Sequence, residues 1–309
     1  MSARIVKSFV FLAFLCLPLS LIAQDPIKRT LILNAAVTTQ SGHPVRGLKT
    51  ENFEIASKNA RHRIVSSTLL EGSASIGILI DTSGSAGEAF SNIRKSAEEF
   101  VRASASRNDY FVMTFNKDLY PLVDLTDDRD RVLSGIGRLS SATPRLNTAL
   151  YDSIVLALEK LEAGRYDKKV LVVITDGVDT YSRHTFDEVR QKIRLSNVLF
   201  YNLNAMESRD TSSMIGANGL AFMEDLADVS GGRLFAARKA EALADLARQA
   251  AQEIDNLYRI ELETDPTVSV GKPEWRKLDI KVLVDKKSAN VGKVSIRARA
   301  GYYATGAGK

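Results

Sequence analysis

The chain is poor in the residues that most often carry redox, zinc or nucleophilic chemistry. Among its 309 residues there is one cysteine, Cys16, and it lies inside an apolar N-terminal stretch. The remainder of the sequence therefore has no disulfide, no catalytic thiol and no cysteine-ligated metal. Histidine occurs three times, at His43, His62 and His184, never beside a nucleophile by motif, so a Ser-His-Asp triad has little to be built from. There is no Gly-x-Ser-x-Gly at a strand end to form a nucleophile elbow. There is also no Gly-x4-Gly-Lys-Ser/Thr loop to cradle a nucleotide. The formal charge of +5 is scattered, without a Lys/Arg block or interleaved aromatics, and no nucleic-acid surface is indicated.

What is present begins with a targeting signal. Arg4 and Lys7 precede the apolar run of residues 9–17, and a small residue, Ala23, stands before the polar Gln24. This is the layout of a secretory signal peptide over residues 1–23, and the run is short for a membrane span. A retained N-terminal anchor is the competing reading. Cleavage near Ala23 implies a secreted or periplasmic protein with no stable membrane span. Loss of Arg4 and Lys7 lowers the charge from +5 to +3.

The mature chain divides by pattern into three parts. Residues 24–71 read as a β segment, with strands near 31–37, 53–55 and 64–70. Residues 72–256 alternate strand and helix, which predicts an α/β fold with a Rossmann-like, doubly wound, mostly parallel sheet. The last helix is expected to carry Leu243, Leu246, Ala247, Ala250, Ile254 and Leu257. Residues 257–309 return to β. The two β flanks are too small to hold separate cores and are expected to pack together as a β-sandwich-like unit. Separate β extensions are the alternative.

The α/β part is organised around Ile76-Gly77-Ile78-Leu79-Ile80-Asp81-Thr82-Ser83-Gly84-Ser85. A continuous apolar run ending at an aspartate reads as a buried central strand, with its loop at the sheet edge where open α/β folds bind ligands. One carboxylate and two hydroxyls in five residues form a hard, oxygen-only cluster that suits Mg²⁺, Mn²⁺ or Ca²⁺. A plain strand-to-helix turn, with Asp81 or Ser85 as helix cap, is the simpler reading of that stretch alone. Two further loops fall at the same edge: Leu146-Asn147-Thr148-Ala149-Leu150 before a helix, and Thr175-Asp176-Gly177 after the second apolar strand, residues 170–174.

Together the three loops resemble the von Willebrand factor A domain and its metal-ion-dependent adhesion site. The resemblance covers about residues 74–256 and includes Leu226 to Phe235. The flanks look similar to a bacterial secreted subgroup of that family, through Gly42-His43-Pro44-Val45, Asn52-Phe53-Glu54 and Arg297-Ala298-Arg299-Ala300-Gly301-Tyr302-Tyr303. The resemblance implies that Ser83, Ser85 and Thr148 offer oxygens to a Mg²⁺-like ion, with Asp81 and Asp176 acting directly or through water. It further implies a non-enzymatic binding module whose ion bridges to an Asp or Glu of a partner protein. An envelope-assembly scaffold with a non-bridging metal and a metal-dependent hydrolase are the alternatives. Where the family has two glycines before its threonine, this sequence has Arg145-Leu146-Asn147, which leaves Thr143 as a competitor for the role of Thr148. Asp152 reads as a helix-surface residue or one standing behind the ligands, Asp179 and His184 as solvated loop residues with the rim of the site as the alternative, and Trp275 as core or hairpin packing.

Overall fold

The computed structural model describes residues 29–57, 60–71, 73–83, 90–139, 147–204, 214–264, 274–283 and 293–304. The N-terminal flank contains β1 (Arg29–Thr39), β2 (Phe53–Ser57), β3 (Ala60–Arg61) and β4 (Arg63–Glu71). The α/β part follows as β5 (Ser75–Asp81), α1 (Phe90–Ala103), β6 (Asp109–Phe115), β7 (Leu119–Thr126), α2 (Arg129–Gly137) and α3 (Leu150–Glu162). It continues with β8 (Lys169–Ile174), α4 (Phe186–Leu195), β9 (Val198–Asn204), α5 (Met214–Ser230), β10 (Arg233–Ala236) and α6 (Leu243–Ile254). The C-terminal flank supplies β11 (Asn256–Thr264), β12 (Glu274–Lys277), β13 (Asp279–Val282), β14 (Val294–Ala298) and β15 (Gly301–Ala304).

The apolar strands become the centre of a six-stranded sheet of order β10-β9-β8-β5-β6-β7, parallel except for the edge strand β7. Every residue of β5, β6 and β9 is buried, as continuous β-branched and aromatic runs require when helices cover both faces. Ile76, Ile78 and Ile80 point to one face, where α1, α2 and α6 bring Phe100, Val132 and Ala247. Leu79, Phe111 and Val173 point to the other, where α3, α4 and α5 bring Ile154, Val189 and Leu226. The strand period of two thus separates the sheet's residues into two cores.

The two flanks fold with each other. A four-stranded sheet of order β14-β1-β11-β4 mixes strands from both ends of the chain, and a three-stranded sheet, β13-β2-β3, does the same. Leu33, Val37, Phe53, Ile55, Tyr258 and Ile260 fill the core between them. β4 ends where β11 begins, with Asn256 paired to Glu71, so the whole α/β part leaves and re-enters the β unit at one point.

Two boundaries differ from the sequence pattern. Leu257 falls three residues after Ile254 and so fits the helical stripe, yet α6 stops at Ile254 and Leu257 lies in β11. It still packs with Ile254 in the same core, which is why its spacing misleads. The sequence pattern places a strand from Leu278 to Val284, which the structure gives as β13, paired with β2; β12, paired with β15, precedes it across Leu278 and was not expected. Trp275 lies in β12, edge-on to Tyr303 at 5.0 Å between ring centroids, with the Arg194 guanidinium 4.8 Å over its ring.

Candidate metal centre

β5 ends at Asp81, which is 1% exposed. β8 lies parallel beside it, in register from Ser75↔Lys169 to Ile80↔Ile174, so the residue after Ile174 reaches the same level as Asp81. That residue, Thr175, donates its hydroxyl to Asp81 Oδ2 at 2.7 Å. The Ser83 backbone N–H donates to Asp81 Oδ1 at 2.8 Å. Asp176 Oδ1 accepts from the Val178 N–H at 2.9 Å, folding the third loop into an Asx turn. Burial, and after it repulsion from Asp176, pushes the Asp81 carboxyl up to about 6, against hydrogen bonds from Ser83 and Thr175 that pull it down.

Thr148, 5% exposed, is held between the other two loops. The adjacent Ala149 N–H donates to the Asn116 carbonyl at 2.7 Å, just beyond Phe115, whose carbonyl accepts the Thr82 N–H at 2.8 Å and hydroxyl at 3.0 Å. Thr148 N–H donates to Thr180 Oγ1 at 2.9 Å, and its carbonyl accepts from Thr180 and Tyr181 at 2.9 and 3.0 Å. None of these bonds uses the Thr148 hydroxyl. Among the described residues, Asp81, Ser83, Thr175 and Asp176 are therefore brought together directly. Thr148 joins them through Asn116 and Thr180. Ser85, Thr143, Arg145 and Leu146 lie outside the described residues, as does the segment 1–23.

Residues expected to be solvated turn out to organise this edge. Helix α3 begins at Ala149, which has no capping side chain. Asp179 Oδ1 instead accepts the Tyr151 N–H at 3.2 Å, and Ser182 Oγ accepts the Asp152 N–H at 3.1 Å. The third loop thus supplies the N-terminal caps that α3 lacks. Asp152 Oδ1 contacts His184 Nδ1 at 2.7 Å. Against the cost of burial, the His184 and Arg183 N–H groups and the His184 ring pull the Asp152 carboxyl down. Two buried asparagines of β9 hold the third loop from the other side. Asn202 Nδ2 donates to the Val173 carbonyl at 2.9 Å, and Asn204 Nδ2 to the Asp176 carbonyl at 3.1 Å. Two amides at alternate positions of an otherwise apolar strand were the signal for them.

The donor set fits a hard divalent cation. It offers two carboxylates and the hydroxyls of Ser83 and Thr148, with no nitrogen or sulfur to favour a softer metal. Among the described residues no three His, Cys, Asp or Glu side chains gather as a metal cluster, so hydroxyls must make up the coordination. A carboxylate raised by burial first and by an acidic neighbour second is the arrangement that a cation's charge relieves.

Backbone packing fixes where Asp176 stands. Gly177 has φ +87°, and a Cβ there would lie 2.7 Å from the Gly219 carbonyl oxygen of α5. A Cβ on Gly219 would lie 2.8 Å from the Gly177 carbonyl oxygen. Backbone meets backbone, and neither side has a flexible group to give way. Gly219→Ala is therefore expected to push the third loop off α5 and weaken Mn²⁺ binding at least tenfold by calorimetry, with far-UV circular dichroism unchanged. Unaltered affinity would show that the loop does not depend on this contact.

The family model described as the von Willebrand factor type A domain matches residues 75–249. No curated protein matches the chain. Among solved structures, proximal thread matrix protein 1 from the mussel byssus aligns with a TM-score of 0.50 at 13% identity, covering 64% of this chain and 50% of that one. An aerotolerance-related membrane protein from Bacteroides fragilis aligns with a TM-score of 0.46 at 15% identity, covering 60% and 98%. A von Willebrand factor type A protein from Catenulispora acidiphila aligns at 0.47 and 12% identity, covering 90% and 75%. At 13% identity the first of these likenesses speaks for the fold alone. With the match running from the first central strand into the last helix, the chain belongs to the von Willebrand factor type A domain family.

Proposed function

We propose that this protein is a secreted or periplasmic, non-enzymatic binding module that captures a partner protein through a divalent cation. The ion, Mg²⁺ or else Mn²⁺ or Ca²⁺, is held by Asp81, Ser83, Ser85, Thr148 and Asp176 and completes its coordination with an exposed Asp or Glu of the partner. The observation that supports this reading most is the convergence of Asp81, Ser83 and Asp176 with the Thr148 loop at the carboxyl edge of the sheet, around a carboxylate that has no counter-charge among the described residues. Hydroxyl ligands leave a divalent ion electron-poor, which favours an additional carboxylate from outside. Membership of the family supports a role in protein–protein interaction. Among the described residues no helix is long and apolar enough to cross a membrane.

The test is calorimetric titration of Mg²⁺ and Mn²⁺ into metal-stripped protein, with Thr148→Ala beside the wild type. One-site saturable binding, weakened at least tenfold in Thr148→Ala, is expected. Binding indifferent to Thr148 would remove the second loop from the site. Absence of binding altogether would leave the fold without a metal site in the partner-free protein. Hydrolysis of phosphoester or ester substrates dependent on the metal would overturn the non-enzymatic reading.

A further inference from the structure

A second recess lies at the opposite, amino-terminal end of the parallel sheet, where the β unit meets the α/β part. Side chains alternate along β1, so Leu33, Ala35 and Val37 point into the core of the β unit while Ile32 and Asn34 face the other way. That other face overhangs the starts of β8 and β9. Between them is a cavity of about 520 Å³, lined from β1, β4, β11 and the loops leading into β8 and β9. The volume lies in the range of small-molecule sites.

The charges on its lining are unevenly placed. Asp167 and Glu71 are exposed, and Glu71 lies 3.8 Å from Arg46. The cations sit deeper: Lys168 is 5% exposed, and Lys169, Arg259 and Arg299 are half-buried. Lys169 donates to the Gly164 carbonyl, Arg259 to Glu261, and Lys168 to the Ile254 carbonyl at 3.0 Å, near Asp255. Arg299 is the unusual group. Its guanidinium donates to Asn197 Oδ1 at 3.2 Å and to the Arg194 carbonyl at 2.6 Å, both neutral acceptors. Its buried Nε has no partner among the described residues, and none of their carboxylates forms an ion pair with it. Burial alone pushes the Arg299 guanidinium below its ordinary range, which is the condition of a desolvated charge without a counter-ion. Ile32, 42% exposed, together with Leu70 and Tyr166 gives the same lining an apolar part.

We propose that this cavity is a binding site for a small amphiphilic anion. The carboxylate or phosphate head sits against Arg299, and the apolar portion lies along Ile32, Leu70 and Tyr166. The site is separate from the metal centre and stands without it. A guanidinium offers directed donors that match either head group, and the apolar lining selects ligands with a hydrocarbon part over bare anions.

Octanoate, octyl phosphate and inorganic phosphate, titrated calorimetrically into the protein in metal-free buffer, test the proposal. Saturable binding of at least one octyl compound is expected, with inorganic phosphate at least tenfold weaker. The preferred head group then tells a carboxylate ligand from a phosphate one. Arg299→Gln is expected to weaken binding at least tenfold. Because Arg299 also ties the β unit to the end of α4, Ser73→Trp serves as a second variant. It fills the cavity from another wall and is expected to abolish binding while circular dichroism stays unchanged. Failure of both octyl compounds to bind, binding that survives Ser73→Trp, or inorganic phosphate binding as tightly as octyl phosphate would each overturn it.

Discussion

Asp81→Asn is expected to make the metal-free protein more stable at pH 7.5 while abolishing its response to Mg²⁺. The Asp81 carboxyl is raised from 3.8 to about 6 in the folded protein, chiefly by burial. A carboxyl raised on folding binds its proton more tightly in the native state than in the unfolded chain. Its contribution is therefore most favourable below about pH 4 and is lost as pH rises through about 6. Ionisation in place then costs about 3 kcal/mol, at ~1.4 kcal/mol per pH unit. The amide avoids that cost and still accepts the Ser83 N–H. For a domain of this size the gain corresponds to several degrees in thermal midpoint. Asp255 is likewise raised to about 6 by burial, but it gives the same slope to both proteins and cancels in the comparison. Thermal melts from pH 4 to 8, with and without excess Mg²⁺, read the effect. A variant less stable than wild type at pH 7.5 without metal would mean that the hydrogen bonds to Asp81 outweigh its desolvation.

Glu253→Ala is expected to be the most destabilising single change, by about 3–5 kcal/mol. Glu253 is 1% exposed on the last turn of α6. Its carboxylate accepts from Tyr201 Oη at 3.1 Å and from Arg233 at 3.1 Å, and it pairs with Arg297. Tyr201 and Arg233 belong to the parallel sheet and Arg297 to β14, so one carboxylate ties α6, the central sheet and the β unit together. Truncation leaves two guanidinium groups and a fully buried phenol without their acceptor. Glu253→Gln keeps an acceptor for Tyr201 and is expected to lose less. Urea denaturation measures both. A loss under 1 kcal/mol for Glu253→Ala would show that water replaces the carboxylate at little cost.

The α/β architecture was legible because β5, β6, β8 and β9 are predominantly apolar runs, each too short for a helix and separated from the next by helix-forming sequence. Asp81 and Asp176 were legible for the same reason: a carboxylate directly after such a run has to lie at the sheet edge. The capping of α3 by Asp179 and Ser182 was not. Those residues are local to their own loop, and only the packing of that loop against α3 gives them their function. Asn116 and Thr180 escaped notice likewise, since Asn116 acts through its backbone carbonyl and Thr180 through its N–H and a single hydroxyl, contacts that no sequence pattern encodes. In the β unit, the half-exposed strands alternate weakly, and the change of partner at Leu278 leaves no periodic trace. Glu253 resembled any other helix glutamate, because the guanidinium groups that bury it arrive from distant strands.

The pairing of Glu71 with Asn256 makes β4 and β11 a hairpin whose connecting loop is an entire α/β domain. An unstructured loop of that length closes slowly and at a high entropic cost. A folded domain that holds its own two ends side by side removes most of that cost. The α/β domain is therefore expected to fold first and the β unit to assemble on it, with the β4–β11 closure next and β1 and β14 afterwards. During synthesis β1 emerges before the other described strands yet lacks its partner strands until β11 has been made, so it is expected to be among the last of them to find its place.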